Sequence, residues 1–287
     1  MMTPNRRTFL TGAAALSAFP NAALAQNKGP LDRIREETGG RLGVAVFDSD
    51  SGRRFFDGAE ARFAMCSTFK MPLAAAVLAR ADRGEIDLNR EIRFGEADLL
   101  EYAPVVRANL AKGALPIDTL LEAAVTVSDN AAANLLFGQV SGPRGLTAFI
   151  RDAGDVVTRS DRYEPELNVV RGGEVRDTTT PMAMLWLMNA VLLGDVLSPA
   201  SRAKLIGWME AASTGKERLR AGLPKGWRVG DKTGTSGEGY FNDIAIATPP
   251  GRKPILIACY LDAPGLDGAK GNAVHRQVGE LVGALFG

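Results

Sequence analysis

The sequence predicts an α/β protein of two lobes, and three observations carry that prediction. Runs with strand character lie near both ends of the chain, before about residue 64 and after about residue 212. The middle carries helical periodicity and helix-start signals instead. The final segment places Val274, Val278, Leu281, Val282 and Leu285 on one helical face, enough apolar surface to cover a sheet. One sheet needs strands from both ends, so the helical middle reads as an insertion within a single unit.

The elements follow in order. Pro30 to Thr38 reads as a short helix stopped by Gly39-Gly40. Arg41 to Asp48 alternates and is rich in β formers; with Asp48–Gly52 as turn and Arg53–Phe56 as return strand it predicts a hairpin. From Ser67 to about Met209 the pattern is helices and loops. Leu146, Phe149 and Ile150 share a stripe ended by Gly154, and Thr180-Pro181 caps an apolar helix from Met182 to Leu193. Trp227–Lys232, Phe241–Thr248 and Ile255–Leu261 are short strands separated by Gly- and Pro-rich turns.

Composition removes several function classes. The chain has 287 residues, 46% apolar and 23% charged, which allows one or two soluble globular domains. No apolar run reaches the roughly 18 residues of a spanning helix. Residues 1–25 read as a cleaved export signal: Arg6-Arg7-Thr8-Phe9-Leu10, an Ala/Leu/Phe stretch, then Ala23-Leu24-Ala25, with no acid before Asp32. The paired arginines resemble a twin-arginine signal, which places the mature protein in the periplasm or outside a bacterial cell. Without that segment the formal charge moves from +1 to −1, which leaves no basic footprint for nucleic acid. Cys66 and Cys259 read as buried thiols.

Chemistry begins at Cys66-Ser67-Thr68-Phe69-Lys70, at the head of the Ala-rich run Leu73–Leu78. A helix starting near Ser67 puts Ser67 and Lys70 on one face, aims free N–H groups at the serine's target, and offers an amine to take its proton. Ser-x-x-Lys alone is weak: it recurs at Ser201 and Ser213, where a solvated pair accounts for it. Ser128-Asp129-Asn130 opens a second helical run; it reads as a helix cap, or as a relay hydroxyl beside a carbonyl-binding amide. Lys232-Thr233-Gly234-Thr235 ends a predicted strand, where Lys232 and Thr233 suit a carboxylate and Gly234 a close approach. The polar stretch from Asp161 to Thr180 is too long for a plain connector, and Glu164 with Asn168 in it suits the deprotonation of a water molecule.

Ser67-x-x-Lys70, Ser128-Asp129-Asn130 and Lys232-Thr233-Gly234, in that order, resemble the signature of class A β-lactamases and penicillin-binding proteins. Glu164-Pro-Glu-Leu-Asn168 resembles the class A β-lactamases specifically, and the likeness spans nearly all of residues 28 to 287. It implies an antiparallel sheet flanked by N- and C-terminal helices, with an α/β lobe of about 28–64 and 212–287 and a helical lobe of about 65–211. The implied activity is hydrolysis of penicillin- and cephalosporin-type rings by a monomer, without cofactor, metal or membrane anchor.

By this resemblance Ser67 is the acylated nucleophile, and its N–H with that of Thr235 forms the oxyanion hole. Lys70 is base or relay, Ser128 the relay to the ring nitrogen, and Asn130 the binder of the substrate's amide. Glu164 and Asn168 hold the deacylating water; Lys232, Thr233, Gly234 and Thr235 form the carboxylate site; Arg162 and Asp177 pin the loop. Many relatives carry an arginine near Asn242 for the carboxylate. This chain has none there, and Arg218 matches an alternative position for that charge. Carbapenem-hydrolysing members often bridge the cysteine before the nucleophile to a position that is Ser236 here. The rivals are a β-lactam sensor and a D,D-peptidase, which lack the Glu164–Asn168 site. A zinc enzyme needs more than the chain's one His, and a Ser-His-Asp hydrolase would have to use His275.

Overall fold

The computed structural model describes Gly29 and residues 31–287; the export segment lies outside the described residues. Helix α1 spans Asp32–Thr38 and is closed by Gly39 in the left-handed conformation. Strands β1 (Arg41–Asp48) and β2 (Arg54–Asp57) form the expected hairpin, followed by the short β3 (Phe63–Ala64). The middle holds α2 (Lys70–Asp82), β4 (Glu91–Arg93), α3 (Pro104–Ala108), β5 (Ala114–Pro116), α4 (Ile117–Thr126), α5 (Asn130–Phe137) and α6 (Gly142–Asp152). It continues with β6 (Thr178–Thr179), α7 (Pro181–Leu192), α8 (Pro199–Glu210) and α9 (Leu219–Gly222). Strands β7 (Arg228–Thr235), β8 (Tyr240–Thr248) and β9 (Ile255–Asp262) and helix α10 (Gly268–Phe286) complete the chain.

Both ends of the chain meet in one five-stranded antiparallel sheet of order β2-β1-β9-β8-β7. Strand β1 pairs with β9 along its length, from Arg41 opposite Asp262 to Asp48 opposite Ile255. Alternation then sorts the two faces. Val44, Val46, Ile257 and Cys259 pack with Ile34 of α1 and Val274, Val278 and Val282 of α10. Ala45, Ala258 and Tyr260 face the helical lobe, whose core is built around α2. Burial of this kind contributes roughly 1.5–3 kcal/mol per large side chain. Ala74, Ala75, Ala76 and Ala79 are buried and small, so α4, α5, α6 and α8 all approach α2 closely. Phe69 stacks on Phe137 at 5.5 Å, tying the nucleophile turn to α5.

Three sequence expectations need correction. Leu285 is 37% exposed, and Phe286 takes the buried place at the end of α10. The middle is not purely helical: β4 pairs with β5 and β3 with β6, ribbons too short to show an alternating pattern. The turn at Ser67 is a tight 3₁₀ helix, Cys66–Phe69, and the α-helix starts only at Lys70. Pro72 has no N–H to give the Thr68 carbonyl, so the α ladder cannot run back through this turn.

Candidate active site

The site lies where the free edge of β7 meets the head of α2. Cys66 has a positive φ of 44°, a bend that turns Ser67 towards β7 instead of along a helix wall. Two neighbours fix that bend. Asn242 on β8 donates from Nδ2 to the carbonyls of Ala64 and Met65 (3.0 and 3.1 Å), and Thr68 Oγ1 donates to the Met65 carbonyl (2.7 Å). Gly234 is needed for the same packing: a Cβ there would sit 2.8 Å from the Met65 carbonyl and 3.1 Å from Cys66 Cβ. Its close approach is to the chain's own turn, where the sequence had pointed to a ligand.

Lys70 is completely buried at the centre. Its Nζ lies 2.9 Å from Ser67 Oγ, 2.9 Å from the Ser128 carbonyl, 3.3 Å from Ser128 Oγ and 3.1 Å from Glu164 Oε1, and it also donates to Asn130 Oδ1. An ammonium has three protons for these five oxygens, while a neutral amine keeps a lone pair to accept the Ser67 proton. Burial pushes the Lys70 amine below the ordinary lysine range, opposed by the charge of Glu164. The 3.1 Å approach to Glu164 is an ion contact without hydrogen-bond alignment: Glu164 Oε1 has no aligned donor among the described residues.

Lys232 stands on the other side of Ser128. Its Nζ donates to Ser128 Oγ at 3.0 Å and to the Thr233 carbonyl at 2.9 Å. It too is fully buried, and burial followed by repulsion from Lys70 pushes it well below the lysine range. Ser128 sits at a φ of 61°, holding its hydroxyl between the two amines. Asp129 is the helix cap that the sequence allowed, accepting from Ala132 N (2.9 Å), and it reaches further to Val105 N and Val106 N. Asn130, its Oδ1 held by Lys70, keeps its amide N–H groups for the cleft.

The long loop closes the floor. Asp177 receives Arg162 Nε at 2.6 Å and the backbone N–H groups of Asp161 and Arg162, pinning the loop's two limbs together. Asn134 on α5 brackets Glu164, accepting from Glu164 N (3.0 Å) and donating to its carbonyl (2.9 Å). Asn168 Nδ2 donates to Glu164 Oε2. The peptide bond Glu164–Pro165 is cis.

Arg218, at the N-terminal edge of α9, is 6% exposed. It donates Nη1 to the Gly234 and Asn242 carbonyls (3.0 and 2.7 Å), Nη2 to Thr235 Oγ1 (2.6 Å) and Nε to Asn272 Oδ1 (2.9 Å). Thr233 Oγ1 donates to Thr214 Oγ1 at 2.7 Å. Ser67, Tyr102, Ser128, Asn130, Asn168, Thr214, Arg218, Thr233 and Thr235 line one cavity of about 280 Å³. A larger cleft of about 390 Å³, lined by Arg80, Phe149 and Asp152, holds no serine or lysine, so chemistry and not volume selects the site.

All of the sequence-derived candidates thus converge, while Ser201 and Ser213 stand apart. Ser201 Oγ is bound to Asp82, and Ser213 is a surface contact to the Thr126 carbonyl. His275 is buried on α10 against the Gly271 carbonyl, and burial pushes it down to about 3, so it carries no triad. Cys66 and Cys259 are free and buried. Sequence reasoning missed Asn134, Thr214, Asn242 and Asn272. Only Asn134 left a signal, an amide four residues after Asn130 in an otherwise apolar helix.

Comparison with known proteins agrees with this geometry. The model of the β-lactamase enzyme family matches residues 29–286. The chain is 44% identical to β-lactamase L2 of Stenotrophomonas maltophilia, covering 96% of this chain and 91% of that protein. It is 42% identical to the carbapenem-hydrolysing β-lactamase KPC of Klebsiella oxytoca, covering 88% and 86%. A solved β-lactamase from Xanthomonas campestris superposes with a TM-score of 0.88 at 48% identity, over 90% of this chain and 96% of that one. A class A β-lactamase reconstructed as the last common ancestor of Gram-negative bacteria gives 0.87 at 53% identity, over 90% and 98%. With Ser67 on a buried Lys70, a second Ser-Lys pair and a carboxylate–amide loop around one cavity, this chain belongs to the β-lactamase enzyme family and is a class A serine enzyme that hydrolyses the β-lactam ring.

Proposed function

We propose that Ser67 opens the ring and Glu164 directs hydrolysis of the ester that results. The observation that carries this reading is the unbroken contact chain Ser67 Oγ–Lys70 Nζ–Ser128 Oγ–Lys232 Nζ, with Glu164 held against Lys70. The substrate carboxylate binds at Lys232, Thr233 and Thr235, its amide at Asn130, and its ring carbonyl between the N–H groups of Ser67 and Thr235. Neutral Lys70 takes the Ser67 proton as Oγ attacks the carbonyl carbon. The ring C–N bond breaks, and its nitrogen receives a proton through Ser128. Glu164 then takes a proton from water, the hydroxide attacks the ester, and the Ser67 oxygen leaves with a proton returned through Lys70.

Intact-mass spectra with a slowly hydrolysed β-lactam test the first step. One adduct is expected, on the peptide containing Ser67. An adduct on Ser201 or Ser213 would overturn the assignment.

The charge for the substrate carboxylate comes from Arg218, which reaches Thr235 from beneath β7. Arg218→Ala is expected to lower kcat/KM roughly 10–200-fold, the loss of about 1.5–3 kcal/mol of charge-assisted binding. A change under about twofold on every β-lactam tested places that charge elsewhere.

Export completes the proposal. The Arg6-Arg7 segment and the Ala23-Leu24-Ala25 site support delivery to the periplasm or beyond, with the enzyme acting there as a monomer. Among the described residues no helix is long and apolar enough to cross a membrane.

A further inference from the structure

Behind the carboxylate site lies a buried charge cluster that the reaction does not use directly. Asp231 on β7 and Asp243 on β8 are both fully buried. Asp243 stands opposite Thr233, and Asp231 opposite Ala245, so the two carboxyl groups share a face as diagonal neighbours. Asp231 Oδ2 is paired with Arg220 at 2.7 Å. Asp243 Oδ2 accepts from Leu219 N at 3.1 Å, at the peptide that follows Arg218. The Oδ1 atoms of both residues have no hydrogen-bond partner among the described residues.

Arg218 is the counterpart. Its hydrogen bonds go to neutral oxygens, and no carboxylate lies in ion-pair contact with it among the described residues. A buried guanidinium left in this state retains its charge for an incoming anion. An ionised Asp243, bound to the peptide that follows Arg218, would cancel much of that charge.

We propose that Asp243 is a positioning residue which, as a neutral carboxyl group, anchors the Arg218–Leu219 turn and leaves the Arg218 charge free for the substrate carboxylate. The proposal rests on the hydrolase reading above. Burial, and then the charge of Asp231, push the Asp243 carboxyl well above the usual range, which agrees with the geometry. The groups around it are Asp231 on the same face of β7, Cys259 opposite it on β9, and Arg218 and Arg220 around α9; Lys232 acts on it through β7 from the opposite face, and His275 on α10 packs at Cys259. Burial holds the Cys259 thiol protonated and His275 neutral.

The sign follows. Below its folded pKa Asp243 is neutral and carboxylate binding is strong. As pH rises through that pKa the group ionises, and KM for an anionic substrate rises while kcat holds.

The test is KM and kcat for benzylpenicillin and for its uncharged methyl ester, from about pH 6 to about pH 10, on wild type and Asp243→Asn. Wild type is expected to show a roughly tenfold alkaline rise in KM for the acid and none for the ester. Asp243→Asn keeps an acceptor for Leu219 N–H and cannot ionise, so it should keep kcat and neutral-pH KM within about twofold and lose the alkaline rise. Asp243→Ala removes the acceptor and should raise KM at every pH. Lys70 and Lys232 titrate in both proteins and drop out of the comparison. A wild-type KM flat to the top of the range, a rise shared by acid and ester, or a rise that persists in Asp243→Asn overturns the proposal. A flat wild-type KM, or a rise shared by acid and ester, overturns the proposal even if the variants fail to fold; Asp243→Asn then separates Asp243 from Lys232, whose charge is also lost as pH rises. If wild type does not turn over benzylpenicillin at neutral pH, it is the hydrolase reading that fails.

Discussion

Glu164→Ala is expected to stop turnover of benzylpenicillin after a single burst and to leave a penicilloyl ester on Ser67 that persists on the timescale of a mass spectrum. The side chain sits with Oε1 3.1 Å from Lys70 Nζ and Oε2 on Asn168, in a loop whose neck is held by Arg162 and Asp177. Ser67, Lys70, Ser128 and the N–H groups of the oxyanion hole stay in place, but Lys70 loses its ion contact, so acylation slows less than breakdown of the ester. Deacylation loses its base, and removal of a positioned general base costs roughly 10²–10⁴-fold. Asn134 grips only the backbone of Glu164, so the loop should hold its course in the variant. The check is a burst experiment paired with intact mass after seconds and after minutes. Turnover near the wild-type rate would remove Glu164 from the mechanism. A wild type that itself stays acylated would make this chain a sensor rather than a hydrolase.

The fold was legible because its sheet is antiparallel and half-buried, so alternation survives in Arg41–Asp48 and in the three late strands to within a few residues. The α2 core was legible as an Ala-rich run. The ribbons β4–β5 and β3–β6 were not, since two or three residues hold no period. In the site, hydroxyl, amine and carboxylate groups announced themselves by type and order. What stayed hidden was how they are held. The φ of 44° at Cys66 is set by Asn242, and Arg218 is held by Asn272, amides on a strand and a helix more than a hundred residues from Ser67. Local sequence carries no trace of such partners. Gly234 shows the same limit: the residue was noticed, but the atoms it avoids belong to Met65 and Cys66.

Lys70→Ala is expected to produce the opposite kinetic phenotype, an enzyme that barely acylates. Lys70 is the group in hydrogen-bond contact with Ser67 Oγ that can hold a lone pair, and it also touches Ser128 and Asn130. Its loss should slow acylation roughly 10²–10⁴-fold, with no ester accumulating, whereas Glu164→Ala should fill with ester. The pH dependence separates base from bystander. Burial lowers the Lys70 pKa, so the amine is neutral above that value and becomes protonated as pH falls through it. Wild-type acylation should therefore decline on the acid side, and the residual acylation of Lys70→Ala should lack that limb. The variant also leaves Glu164 buried without its cation, a change that costs about 3–5 kcal/mol if the carboxylate stays ionised, so a melting curve must accompany the kinetics. Single-turnover stopped-flow with a chromogenic cephalosporin measures the acylation rate directly. A folded Lys70→Ala that acylates within about fivefold of wild type would move the base to Glu164 acting through water.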